Sequence, residues 1–288
     1  VFMMYPRANV SAKRIMEVLD TKPSIVNDTD CILLDSIQTL RFKDVTFSYP
    51  NGEEAVLKDI DFSCHKGQKI AVIGSTGSGK STLVKLMNRF YDVSRGMIEI
   101  NGVDIRKYDL ESLRAQIGYV AQKAHMFKGS IRSNICFGKP DASDEEMVHA
   151  ATVAQASDFI SKREHGYLDE IAEDGTNISG GQKQRLSIAR VILKKPSLYI
   201  YDDSFSALDF KTDATLRKAL KPEVKNAIFF VVAQRISTIM DSDMIIVLDE
   251  GQIIGMGTHT QLLKDCRVYQ EIAHSQLTQK ELDDYERN

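Results

Sequence analysis

Apolar and polar residues alternate from Ile37 to Tyr49 and again from Ala55 to Cys64, with Asn51-Gly52 between the two stretches. Alternation at period two buries one face of a strand and wets the other, and Asn-Gly readily forms a strand-joining turn. The two stretches predict an antiparallel pair. The pattern then changes. Ile70-Ala71-Val72-Ile73, Met97–Ile100, Ile117–Val120, Ser197–Tyr201, Ala227–Ala233 and Met244–Leu248 are short, largely apolar runs. Such runs suit strands covered on both faces, as in a parallel sheet. Gln252–Met256 is placed to fold back on the last of them through Asp249-Glu250-Gly251. From about Lys123 to Lys195 the spacing is helical, at Asp144–Ala154, Ser157–Lys162 and Gln182–Leu193. These elements predict an α/β fold: a mostly parallel sheet with helices, a small antiparallel sheet beside it and an inserted helical subdomain.

The ends read differently. Val10, Ile15, Val18 and Leu19 fall near one face of a short helix rich in Lys and Arg, which Pro23 and Asn27-Asp28-Thr29-Asp30 break. Residues 1–36 read as a linker, and the acidic stretch from Gln279 as a frayed tail, so 278–288 are set apart from the domain at 37–277.

Composition narrows the class. The 288 residues are 43% apolar and 27% charged, with net charge −3, pI about 6.1 and mean hydropathy −0.23. That balance is globular and gives no general attraction to nucleic acid, which is not expected as a partner. Cys31, Cys64, Cys136 and Cys266 are far apart and the six histidines are scattered, so neither a disulfide framework nor a zinc site is expected. No apolar run approaches the roughly 18 residues of a membrane helix. The sequence begins at a valine and reads as a piece of something longer.

The apolar run Ile70–Ile73 leads directly into Gly74-Ser75-Thr76-Gly77-Ser78-Gly79-Lys80-Ser81. Glycines let backbone N–H groups converge on phosphate oxygens, and a following helix adds its positive dipole end. In this pattern Lys80 reaches the β- and γ-phosphates and the Ser81 hydroxyl sits on Mg²⁺. With Thr82 next along, the loop predicts a nucleoside triphosphate site in a phosphate-loop NTPase core. A second element is Leu198-Tyr199-Ile200-Tyr201-Asp202, a hydrophobic strand ending on a carboxylate that can face Mg²⁺ opposite Ser81. A third is Ile178-Ser179-Gly180-Gly181-Gln182, where two glycines open a basic helix and make another anion-seeking helix start. One bound nucleotide needs only one such start. A head-to-tail dimer, each chain's second helix start capping a nucleotide on the other, accounts for both.

Phosphate loop, Gln122, Ile-Ser-Gly-Gly-Gln, Asp202 and Ser206-Ala207-Leu208-Asp209 together resemble the nucleotide-binding domain of ABC transporters, over about residues 37–277. The resemblance implies ATP and Mg²⁺ as ligands, with Ser81, Gln122 and Asp202 toward the metal and Ser179, Gly180, Gly181, Gln182 and Asp209 toward nucleotide. It also implies that Tyr49, in Phe47-Ser48-Tyr49-Pro50, stacks on adenine, although a Tyr at a strand end is otherwise ordinary core. Met126–Ile135 looks like the exporter segment that receives coupling helices. Ser11-Ala12-Lys13-Arg14-Ile15 resembles the link after the last membrane helix of fused exporters. On that basis the chain sits at the cytoplasmic face of the cell membrane, joined to its own transmembrane domain.

Two positions depart from the family pattern. Asp203 stands where a Glu acts as general base on the attacking water, and Gln234, in Val232-Ala233-Gln234-Arg235, stands where a His contacts the γ-phosphate. Together they resemble the degenerate half of a heterodimeric bacterial exporter, with a slow site of its own and a different chain as partner. Two other functions fit part of the pattern. A soluble ABC ATPase of repair or translation would carry coiled-coil insertions or tandem domains. A nucleotide sensor gating a channel would tolerate Asp203 and Gln234.

Overall fold

Alternate residues of each parallel strand enter two different cores, and that division organises the molecule. The computed structural model describes residues 4–277. Its strands are β1 (Thr39–Phe47), β2 (Leu57–His65), β3 (Lys69–Gly74), β4 (Arg95–Ile100), β5 (Val103–Asp104), β6 (Ile117–Val120), β7 (Gly129–Ser130), β8 (Glu170–Ile171), β9 (Leu198–Asp202), β10 (Ile228–Val232), β11 (Met244–Asp249) and β12 (Gln252–Gly257). Its helices are α1 (Met4–Leu19), α2 (Lys80–Met87), α3 (Leu110–Ala115), α4 (Ile131–Ile135), α5 (Asp144–Val153), α6 (Ser157–Ile160), α7 (Gly180–Lys194), α8 (Phe210–Val224), α9 (Ile236–Ile239), α10 (His259–Asp265) and α11 (Arg267–Gln276).

The main sheet has the order β12-β11-β3-β10-β9-β6 and is parallel except for the β11–β12 hairpin. Its Ala71, Ile73, Tyr199, Tyr201, Val231 and Val247 face the core shared with Leu186, Ile188 and Ile192 of α7 and Leu216 of α8. Ile70, Val72, Ile200, Phe230 and Ile246 face the opposite core, with Leu83, Val84 and Met87 of α2. Both faces are covered, so β9 and β10 are buried at every position. This is why the runs read as apolar rather than alternating. The second sheet, β2-β1-β4-β5, is antiparallel and sends Leu40, Phe42, Ile60 and Phe62 into the second core, Phe42 stacked on Phe62 at 4.7 Å. The α/β architecture with separate parallel and antiparallel sheets agrees with the expectation.

Several details differ from the sequence reading. α1 begins at Met4 rather than Val10, and its residues from Ala8 onward are exposed. Within 123–195 the helices α4 to α7 are joined by a two-stranded ladder, β7–β8, too short for any periodicity to register. Residues 26–36, part of the expected linker, lie against the domain. Asn27 Oδ1 accepts from Leu110 N (2.8 Å), Ile32 forms a parallel bridge to Tyr108, and Leu34 and Ile37 are buried. The tail from Gln279 lies outside the described residues. No helix among the described residues is long and apolar enough to cross a membrane.

Candidate functional site

Four parallel strands end on one edge, and each delivers a predicted residue there. β3 runs into the glycine-rich loop, β10 into Gln234, β9 into Asp202 and Asp203, and β6 into Gln122. Loops beyond the carboxyl ends of parallel strands are where α/β sheets bind ligands. A cavity of about 310 Å³ opens there, lined by Val56, Thr76, Gly77, Gly79, Lys80, Ser81, Thr82, Gln122, Asp202, Asp203, Val232 and Gln234.

The loop's shape follows from its glycines. A side chain on Gly74 would place Cβ 2.0 Å from the Leu248 carbonyl oxygen of the neighbouring strand, so only Gly fits. Gly77 holds φ at +87° with no atom within 4 Å of a would-be Cβ, leaving its backbone open to a close approach. Ser78 is buried, and Ser75 Oγ donates to Asp249 Oδ1 at 3.3 Å. The Lys80 ammonium donates to the Gly74 and Ser75 carbonyl oxygens (2.8 and 2.6 Å) and lies 3.3 Å from Ser78 Oγ. Burial lowers its pKa, while Asp203 and Asp202 work to hold it up. A cation gathered inside an open backbone cradle fits a phosphate chain.

Ser81 Oγ donates to Asp202 Oδ1 over 3.3 Å, while Tyr119 donates its hydroxyl to Asp202 Oδ2 over 3.4 Å. Asp202 is 4% exposed and Asp203 8%, and burial raises the pKa of both. Among the described residues no cluster of three His, Cys, Asp or Glu could hold a metal by itself. A hydroxyl, an amide and one carboxylate oxygen suit Mg²⁺ completed by phosphate oxygens and water.

Asp203 has φ +47°, a left-handed conformation uncommon for a residue with a side chain. Its N–H donates to the Val232 carbonyl oxygen (2.9 Å) and Ser206 Oγ donates to its carbonyl (2.7 Å), which fixes the turn. Its Oδ2 then accepts from both Gln122 Nε2 (3.2 Å) and Gln234 Nε2 (2.7 Å). All three residues of that cluster were legible in the sequence. Tyr119 was not, although its place on β6, three residues ahead of Gln122, could have drawn attention to it.

Tyr49, the start of α7 from Ser179 to Gln182, and Asp209, all expected at the nucleotide, stand elsewhere. Tyr49 is half-buried outside the cavity wall, edge-on to Phe47 (5.0 Å) and Tyr91 (5.2 Å), with its hydroxyl 3.0 Å from Thr82 Oγ1. Ser179 and Gly180 are exposed at the start of α7. There Ser179 Oγ accepts from Gln182 N (3.3 Å) and Gln182 Oε1 accepts from Ser179 N (3.0 Å), a reciprocal cap. Gly181 lies under the Ala207 carbonyl oxygen, 3.3 Å from where a Cβ would be. Asp209 caps α8, accepting from Thr212 N (3.0 Å) and Thr212 Oγ1 (2.7 Å), and those bonds depress its pKa. None of these residues lines the cavity.

Comparison with known proteins follows the same lines. The ABC transporter family profile matches residues 57–206, more than half of the chain. An ABC transporter ATP-binding protein of Mycobacterium tuberculosis is 43% identical over 276 residues, 94% of this chain and 47% of the relative. A putative multidrug export ATP-binding/permease protein of Bacillus subtilis is 42% identical over 254 residues, 88% of this chain and 44% of the relative. A bacterial Atm1-family ABC exporter solved with ATP bound superposes with TM-score 0.89 at 33% identity, over 95% of this chain and 48% of the exporter. The chain thus spans about half the length of the relatives it matches. Profile, relatives and fold agree with the edge built by β3, β6, β9 and β10, and the chain belongs to the ABC transporter family as an ATP-binding domain.

Proposed function

We propose that this chain binds Mg·ATP as the nucleotide-binding half of an ABC exporter, with a slow site of its own, and that it completes a faster site on a different partner chain. The observation that carries this reading is the Asp203 carboxylate, held on one oxygen by Gln122 and Gln234. In the proposed reaction a carboxylate takes a proton from the attacking water. Asp is one methylene shorter than the Glu of the family pattern, and a misplacement near 1 Å costs about a hundredfold in rate. The two amide bonds offset part of the rise that burial gives its pKa, and they occupy the oxygen that accepts them rather than leaving it open to a water. Gln234 can hydrogen-bond but carries no proton to exchange, unlike His. Lys80 and the loop backbone would bind the phosphate chain, and Tyr49 would pack on adenine. Ser81, Gln122 and Asp202 would hold Mg²⁺, whose chemistry there is neutralisation of charge on the phosphate oxygens.

The exposed start of α7, whose residues do not line this chain's own cavity, supports the head-to-tail partner. The segment Met126–Ile135 supports a docking place for coupling helices of a transmembrane domain. Phe127 and Phe137, 48% and 58% exposed, stack at 4.3 Å, and the Arg190 guanidinium lies 5.5 and 5.6 Å from their rings. Asn134, buried beneath, bonds the backbone of Phe127 from both sides at 2.9 Å. In this reading the chain works at the cytoplasmic face of a membrane, with the linker 1–36 leading from the membrane part.

The test is turnover by the isolated chain. It is expected to bind ATP, remain mostly monomeric and hydrolyse very slowly, because the second helix start needs another nucleotide site to act on. Rapid hydrolysis independent of protein concentration overturns the shared-site reading.

A further inference from the structure

At the opposite end of the sheet from the phosphate loop, the amino ends of β3, β10 and β11 and the last turns of α8 enclose a second cavity of about 280 Å³. That is near the lower bound of about 300 Å³ for small-molecule sites. Its apolar wall is Leu220, Val224 and Phe229. Its charged rim is Lys69, Arg217, Lys221 and Lys225 against Asp241 and Asp243. Both carboxylates are already engaged: Asp241 pairs with the Lys69 ammonium, and Asp243 Oδ2 accepts from Lys69 N at 2.7 Å. Arg217 donates Nε to Asp213 Oδ1 (3.0 Å) and Nη1 to the Ser237 carbonyl oxygen (2.9 Å), keeping further N–H donors on its fork. Lys221 and Lys225 add two exposed ammonium groups at the mouth. The carbonyl end of α8 contributes about half a negative charge, so the rim keeps an excess of positive charge over an apolar floor.

We propose that this cavity is a ligand site for a small amphipathic anion, a carboxylate or phosphate on an apolar body of a few carbons. The head would lie between Arg217, Lys221 and Lys225, and the body on Leu220, Val224 and Phe229. The site is joined to the ATP edge through α9. Arg217 and Lys69 donate to the carbonyls of Ser237 and Thr238 (2.9 and 3.0 Å), and α9 begins two residues after Gln234. An anion that draws Arg217 away loosens one of these two holds on α9. The site does not depend on the export reading, since none of its residues lines the phosphate cavity.

Octanoate is the probe, measured by calorimetry on the whole 288-residue chain, with 1-octanol and inorganic phosphate as comparisons. Saturable binding of one octanoate per chain is expected, at least tenfold tighter than octanol or phosphate alone. The double variant Lys221→Glu, Lys225→Glu is expected to lose at least tenfold in octanoate affinity while its Mg·ATP affinity stays unchanged. Both substitutions are at exposed positions, and a melting curve equal to the parent's shows that the fold is kept. Should the variant unfold, Lys221→Gln with Lys225→Gln carries the same test at a smaller expected loss. No octanoate binding in the millimolar range, equal binding by octanol, or equal binding by the charge-altered chain overturns the proposal.

Discussion

Gln234 Nε2 donates to Asp203 Oδ2 over 2.7 Å, joining the end of β10 to the end of β9 directly across the floor of the phosphate cavity. Gln122 donates to the same oxygen from the end of β6. Three strand ends are thereby tied through one carboxylate oxygen, and the residue at the centre of the tie is held at φ +47°. Backbone held in such a region costs about 1–3 kcal/mol and persists only where surroundings over-determine it. Here the Val232 carbonyl oxygen and the Ser206 hydroxyl do so.

The Lys80 ammonium gathers two loop carbonyls and a hydroxyl around the cavity. Lys80→Ala is expected to weaken Mg·ATP binding at least tenfold, about 1.4 kcal/mol or more, measured by calorimetry. Unchanged affinity would mean that Lys80 does not touch the phosphates.

Asp202 and Asp203 give a pH dependence with an unusual sign. Burial raises both folded-state pKa values above the ordinary carboxylate value. A group with a raised folded pKa binds its proton more tightly folded than unfolded. Its stabilising contribution is therefore present below the unfolded pKa and is lost as pH rises through the folded pKa. Above their folded pKa values both groups are ionised and destabilise the nucleotide-free chain. Asp202→Asn is expected to raise the melting temperature at pH 7, and the gain is expected to vanish below about pH 3.9, where the parent carboxyl is protonated in both states. The same variant is expected to lose the Mg²⁺ dependence of ATP binding. A melting temperature that falls at pH 7 would show the carboxylate to be net stabilising.

How much of this could be read from the sequence differs from element to element. Ile117–Val120 has the same bounds in the structure as in the apolar pattern, because the strand is largely buried, Gln116 precedes it and Gln122 follows one residue after Ala121. The phosphate loop was legible because its spacing encodes backbone geometry. The β7–β8 ladder was not, since two residues per strand carry no period. The docking of residues 26–36 was hidden for a different reason. Asn27 looks like a turn residue, but its partners Asp109 and Leu110 are remote in sequence and only the fold brings them near. Tyr119 was masked in the same way: its contact with Asp202 crosses from β6 to β9.

Tyr49 tests whether the nucleotide base is recognised as well as the phosphates. Its ring is braced by Phe47 and Tyr91, and its hydroxyl lies at Thr82 on the first turn of α2. Tyr49→Ala is expected to weaken ATP several-fold and to leave inorganic triphosphate unaffected, in parallel titrations. Equal losses for both ligands would place the role of Tyr49 in supporting α2 and the loop rather than in packing on adenine.

The last prediction concerns which site of the complex does the work. Ser179 is exposed at the start of α7, outside this chain's own cavity, whereas Asp203 lies on the wall of that cavity. If α7 caps the partner's nucleotide, an arginine at 179 puts a bulky cation where the γ-phosphate contact belongs and removes the helix cap formed with Gln182. Ser179→Arg is then expected to abolish most ATP hydrolysis by the complex. Asp203→Asn is expected to cost far less, because a carboxylate one methylene short of the family's Glu, with one oxygen held by two amides, is poorly placed to take the water's proton. The ordering is the informative quantity, since the effects of residues acting as one unit do not add. The partner's sequence supplies an independent check, as it must carry Glu and His at the positions equivalent to Asp203 and Gln234. If Asp203→Asn silences the complex while Ser179→Arg leaves it active, the working site is this chain's own and Asp203 is its base.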